Sequence, residues 1–126
     1  MPARPKILLV DDDPAVRASL AFSFEIEGFL IETFDCGEDL AHKADFPKNG
    51  FLVLDYRLPG MDGLSLLKIL RSRGVELPAV LITSAPNRHV RTRAAEAGAA
   101  IIEKPLLGDA LTAAVRAGLE AEADAA

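Results

Sequence analysis

Apolar residues along this chain follow two spacings in alternation. Short apolar runs fall at residues 7–10, 29–34, 51–54, 79–83 and 100–102. Four of them are nearly continuous, the pattern of strands covered on both faces. The second carries Glu32 and Thr33 among its apolar residues and suits an edge strand. Between the runs the spacing becomes helical. Val16, Leu20, Phe24 and Ile26 mark one apolar face, Leu64, Leu67, Ile69 and Leu70 another, and Leu107, Leu111, Val115 and Leu119 repeat every four residues in the last. Segments 37–43 and 87–97 carry weaker patterns, but the strand spacing places helices there too. Strand and helix therefore alternate five times. Helices between successive strands imply parallel pairing with right-handed crossovers, hence an α/β fold with a doubly wound, five-stranded sheet. Ligands in such sheets bind outside the carboxyl ends of the strands, near the topological switch point.

Composition narrows the possibilities. A chain of 126 residues makes one domain and buries enough surface to fold without a disulfide or structural metal. Residues 1–5 read as a basic N-terminal tail, 6–120 as the domain, and 121–126, rich in alanine and acid, as a fraying end. No apolar run approaches the length of a membrane span or signal peptide. The single cysteine, Cys36, forms no internal disulfide, which suits a cytoplasmic protein, and reads as a small side chain rather than a reactive thiol. A net charge of −5 argues against direct nucleic-acid binding by this domain. Arg88, His89, Arg91 and Arg93 make one basic segment and Glu120, Glu122 and Asp124 an acidic one.

The strand ends hold the chemistry. The first strand runs into Asp11-Asp12-Asp13-Pro14, the third ends on Asp55, the fourth on Thr83-Ser84, and the fifth on Glu103-Lys104-Pro105. Asp13 before Pro14 reads as a helix N-cap, and so does Asp62 before the third helix. Asp11, Asp12 and Asp55 would repel one another unless a cation joined them, and oxygen-only ligands suit Mg²⁺. An aspartate so placed is a nucleophile towards phosphorus. Lys104 is a point charge and Thr83 a hydrogen-bond donor for phosphoryl oxygens. Pro105 favours an extended conformation at Lys104.

Taken together, "ILLVDDDPAVR", "LDYRLPGMDG", "LITS" and "IIEKP" resemble the receiver domain of two-component response regulators over almost the whole chain, with a further likeness to the nitrogen-fixation and LuxR-type branch. The resemblance implies a flavodoxin-like (βα)₅ sandwich with strand order 2-1-3-4-5. It implies that Asp55 accepts a phosphoryl group from a cognate histidine kinase. Asp11, Asp12, Asp55 and the backbone carbonyl of Arg57 would hold Mg²⁺, for which Mn²⁺ substitutes. Thr83 would be the switch hydroxyl and Lys104 the partner of Asp55 or its phosphate. Such domains are not conventional enzymes, but they catalyse their own phosphorylation and dephosphorylation. Their readout is the surface of the fourth helix, fifth strand and fifth helix, directed at a downstream protein or output domain, and homodimers form in the family.

Three positions depart from the family pattern. Ile101 stands where an aromatic switch residue is usual, Leu106 where phenylalanine is, and Leu107-Gly108-Asp109 where a helix-capping residue begins the last helix. These leave the phosphorylation chemistry intact and bear on the output surface. Other readings of the chain are an aspartyl phosphohydrolase, a nucleotide-binding module and a receiver that docks partners without phosphorylation. The first expects a second acid two residues after the nucleophile, where Arg57 stands. The second expects a glycine-rich phosphate loop, which is missing. The third fits poorly with all five pocket residues being present.

Overall fold

The computed structural model describes residues 4–84, 86–104 and 110–125. Its elements run β1 (Lys6–Val10), α1 (Pro14–Ile26), β2 (Leu30–Phe34), α2 (Gly37–Ala41), β3 (Gly50–Asp55), α3 (Gly63–Ser72), β4 (Ala79–Thr83), α4 (Arg88–Glu96), β5 (Ala99–Glu103) and α5 (Ala110–Ala125). All five strands pair in parallel, in the order β2-β1-β3-β4-β5. The chain reverses its winding at β1, which pairs with β2 on one side and β3 on the other.

The period of two along each strand sorts the core into two layers. Leu8, Val10, Leu52, Leu54 and Leu81 pack with Leu40 of α2, the leucines of α3, and Val90 and Ala94 of α4. Ile7, Leu9, Phe51, Val53, Val80 and Ile82 pack with Phe24 of α1 and with Leu111 and Val115 of α5. Every residue of β3 and β4 is buried. The starts of α1, α3 and α4 are capped by a side chain, whereas Cys36 before α2 makes no such bond. Asp13 Oδ1 accepts from the Ala15 and Val16 amides, Asp62 Oδ1 from Ser65, and Asn87 Oδ1 from Val90. No described helix is long and apolar enough to cross a membrane.

Several elements differ from the sequence expectation. The apolar stripe of α1 does not include Ile26, which is 67% exposed, as is neighbouring Phe22 at 66%. Two residues past Phe24 is about 200° around a helix, the opposite side, so Ile26 cannot share its face. Leu66, unmarked by the spacing, is fully buried on α3, whereas Ile69 is exposed. The fifth strand is not covered on both faces. It is the second edge of the sheet, and its residues are half-buried or exposed. Helix α5 is assigned as far as Ala125. The expectations placed on residues 105–109, including the Pro105 bend and the capping of the last helix, lie outside the described residues.

Candidate functional site

Parallel register carries four strand ends to one edge of the sheet. Val10 lies beside Leu54, Asp55 beside Ile82, and Thr83 beside Glu103. The strand ends that carry Asp11, Asp55, Thr83 and Lys104 therefore lie side by side. Among the described residues, the buried polar or charged ones are Asp11, Asp55 and Thr83, at 2%, 4% and 7% exposure. Burying such groups is costly without partners, so their coincidence at one place makes it the candidate site.

The β1–α1 loop presents the first two acids. The Asp11 amide donates to the Phe34 carbonyl of β2 at 3.1 Å, extending the ladder one residue past the strand. Asp11 Oδ1 accepts from the Asp13 amide at 2.9 Å, and Arg17 Nη1 donates to the Asp11 backbone carbonyl at 2.7 Å. Asp12 is exposed. Carboxylate oxygens of Asp11, Asp12 and Asp55 lie within 4.8 Å of one another.

Asp55 is delivered by β3 and locked from behind. The next amide, Tyr56, donates to Ile82 of β4 at 2.8 Å, and the Gly63 amide to the Tyr56 carbonyl at 2.8 Å. A side chain on Gly63 would collide with the Asp55 carbonyl and crowd Leu81. Only glycine lets α3 begin so close to the strand end. In front, Lys104 Nζ lies 3.4 Å from Asp55 Oδ1, with the lysine side chain 36% exposed. The Lys104 amide donates to the Thr83 carbonyl at 2.8 Å, tying the ends of β4 and β5 together. Arg57 is exposed on the β3–α3 loop, and its backbone N–H donates to the Asp55 carboxylate.

Burial, and then the negative charge of Asp11, push the Asp55 carboxyl above its ordinary value; the Lys104 ammonium and the Arg57 amide pull the other way and lose. Burial likewise raises Asp11, against the Asp13 amide and Lys104. Three carboxylates facing one ammonium form a pocket short of positive charge. Hard oxygen donors with one exposed member, open to water, fit a hydrated divalent cation such as Mg²⁺. A second acidic group, Asp35, Cys36 and Asp39, is as tightly spaced, but both of its carboxylates are exposed.

Four of the side chains expected from the sequence, those of Asp11, Asp12, Asp55 and Lys104, thus come together, and Thr83 lies buried at the adjoining end of β4, bonded to Lys104 through its backbone carbonyl. Arg17 and Gly63 were not expected there. Both act on backbone carbonyls, which leave no trace in a pattern of residue types. Ile101 is half-buried against the α2–α3–α4 layer. Beside it, Arg91 of α4 pairs with Glu103 at 3.5 Å in an exposed bridge.

Comparison with known proteins agrees with this geometry. The family model described as the response regulator receiver domain matches residues 7–116. The transcriptional regulatory protein FixJ of Azorhizobium caulinodans is 35% identical over 125 residues, covering 98% of this chain and 59% of that protein. The C4-dicarboxylate transport transcriptional regulatory protein DctD of Pseudomonas aeruginosa is 37% identical over 121 residues, 94% of this chain and 26% of that one. The chain thus spans about a quarter to three fifths of these curated relatives. Among solved structures, response regulator StyR superposes with a TM-score of 0.86 at 38% identity, covering 97% of this chain and 62% of that one. FixJ-N does so with 0.84 at 32%, covering 95% and 96%.

Proposed function

Since this chain belongs to the response regulator receiver domain family, we propose that it accepts a phosphoryl group on Asp55 from a histidine kinase and passes the signal on through α4, β5 and α5. The observation that carries this reading is the buried Asp55 carboxylate at the end of β3, flanked by Asp11 and Asp12 and paired with Lys104. Mg²⁺, or Mn²⁺ in its place, held by Asp11, Asp12, Asp55 and the Arg57 carbonyl, supplies the positive charge that lets carboxylates and a phosphoryl group share one pocket.

The protein's own groups do the rest. A carboxylate oxygen of Asp55 attacks phosphorus. The bond from phosphorus to the kinase imidazole breaks, its electron pair stays on that nitrogen, and the nitrogen takes up a proton. Burial keeps Asp55 poorly solvated and so a better nucleophile than a surface aspartate. Lys104 neutralises a phosphoryl oxygen, and Thr83 donates its hydroxyl to another. Attack by water on phosphorus later releases phosphate and restores the carboxylate. Phosphorylation adds about −1.5 to −2 charges at Asp55. Because Thr83 and Lys104 are joined through their backbones, drawing either towards those charges shifts both strand ends and the α4 connection. The longer relatives bear the names of transcriptional regulators, and we assign this chain the same input role for an output domain or separate partner in the cytoplasm.

The test is incubation with Mg²⁺ and acetyl phosphate followed by intact mass measurement, for the wild type and Asp55→Ala. One stoichiometric, acid-stable and base-labile phosphate on the wild type and none on the variant is expected. An unmodified wild type, an adduct that survives the substitution, or turnover of phosphate esters overturns the proposal.

A further inference from the structure

The loop that carries Asp11 and Asp12 is held by a contact with no part in the steps above. Arg17 is the fourth residue of α1, and its Nη1 donates to the Asp11 backbone carbonyl at 2.7 Å. Helical side chains lean towards the N-terminus, so the guanidinium reaches back over the loop that the helix has just left. Helix electrostatics disfavour this placement. A cation near the first turn faces the positive end of the helix dipole, and the first turn of α1 has no acidic residue to offset it. The Asp13 carboxylate at the N-cap offsets part of this, and the guanidinium gains a hydrogen bond of its own to the Asp11 carbonyl.

Holding that carbonyl fixes the plane of the peptide joining Asp11 to Asp12. On one side of the plane, Asp11 directs its carboxylate inward, with Oδ1 on the Asp13 amide. On the other, Asp12 begins. It is exposed, so its aim depends on the peptide that precedes it rather than on packing. Arg17 holds the hinge between the two acids through the Asp11 backbone carbonyl.

We propose that Arg17 is a positioning residue that sets the mutual geometry of Asp11 and Asp12 for a divalent cation. This rests on reading the acidic pocket as a cation site. The guanidinium acts through the backbone of the loop, so its removal weakens cation affinity and leaves the chemistry at saturating cation in place.

The experiment titrates Mn²⁺ into the protein without any phosphodonor and follows free Mn²⁺ by electron paramagnetic resonance. The wild type is compared with Arg17→Met, Arg17→Lys and Asp12→Asn. Loss of an outer contact that orients ligands typically weakens metal binding at least tenfold, so Arg17→Met is expected to bind about tenfold more weakly. Arg17→Lys, which keeps a charged donor, recovers part of the loss. With acetyl phosphate, the Mg²⁺ concentration for half-maximal phosphorylation rises by the same factor, while the rate at saturating Mg²⁺ stays near the wild-type value. Wild-type Mn²⁺ affinity in Arg17→Met overturns the proposal and leaves the cation site standing, provided that Asp12→Asn binds weakly. Unchanged affinity with a lower melting temperature means a merely structural role and also overturns it. If the wild type binds no Mn²⁺, or Asp12→Asn binds normally, the site reading fails and this proposal with it. If Arg17→Met does not melt cooperatively, Arg17→Lys and Arg17→Gln decide by the same affinity criterion.

Discussion

Replacing the central residue of the pocket should make the metal-free protein more stable. Asp55→Asn keeps the shape of the side chain and its acceptor towards Lys104 but removes one of three crowded negative charges. Two unit charges no more than 4.8 Å apart repel by at least about 3.5 kcal/mol at an effective dielectric constant near 20. The same law gives about 5 kcal/mol of attraction for the Asp55–Lys104 pair at 3.4 Å. That attraction is reduced because the lysine is one-third exposed. The desolvation of a carboxylate with 4% exposure adds to the repulsive side. The upward displacement of the Asp55 pKa gives the sign of the balance: the folded state disfavours the charge.

A native state that holds a proton more tightly than the unfolded chain loses stability as pH rises from the ordinary carboxylate value of 3.8 through the folded value. The asparagine variant lacks this loss. It should be more stable at pH 7 in EDTA by about 1–2 kcal/mol, raising the melting temperature by roughly 3–10 °C. The gain should shrink as pH falls and vanish below the ordinary carboxylate value of 3.8, where the group is protonated in both the folded and the unfolded state. Adding Mg²⁺ at pH 7 should raise the melting temperature of the wild type and leave the variant nearly unmoved. Thermal melts by circular dichroism at the two pH values, with and without Mg²⁺, are sufficient. An asparagine variant less stable than the wild type at pH 7 in EDTA would refute the electrostatic reasoning.

Two other substitutions probe the walls of the pocket. Arg57→Ala removes an exposed side chain beside the approach to Asp55 and should change the decay of the phosphorylated form, speeding it by about two- to tenfold, or up to ~1.4 kcal/mol in barrier, without abolishing phosphorylation; equal decay rates for the two proteins dismiss this. Gly63→Ala drives a methyl group into the Asp55 carbonyl and Leu81, and the rigid backbone on one side implies a loss of about 1–3 kcal/mol; a denaturant midpoint matching the wild type would show that α3 can shift at no cost.

Much of this architecture is legible in the sequence, for identifiable reasons. β1, β3 and β4 are buried on both faces, so their residues are constrained at every position and read as solid apolar runs. β5 misleads because alanines and isoleucines at an edge look the same as in a core. Ile26 misleads because it is apolar but two residues off its helix face. Asp11, Asp12, Asp55, Thr83 and Lys104 stand out because each follows an apolar run on which a polar residue has no other purpose, and parallel register converts a shared place in each segment into proximity. What stays hidden depends on the backbone. Arg17 reads as one more surface charge until its hydrogen bond to a carbonyl is seen, and Gly63 as one more turn glycine until the strand it nearly touches is in view.

The uneven burial of the sheet has a mechanical consequence. From β3 outward to β5, cover falls from complete to partial. Local opening is cheapest where few apolar contacts resist it. The pocket straddles this slope. Asp55 is anchored on the rigid centre line of the molecule, whereas Lys104 rides on its compliant margin. A force between the two moves them unequally. On the proposed function, Asp55 stays where the core holds it and the margin yields, so a charge added at that fixed point would become displacement at the edge of the sheet.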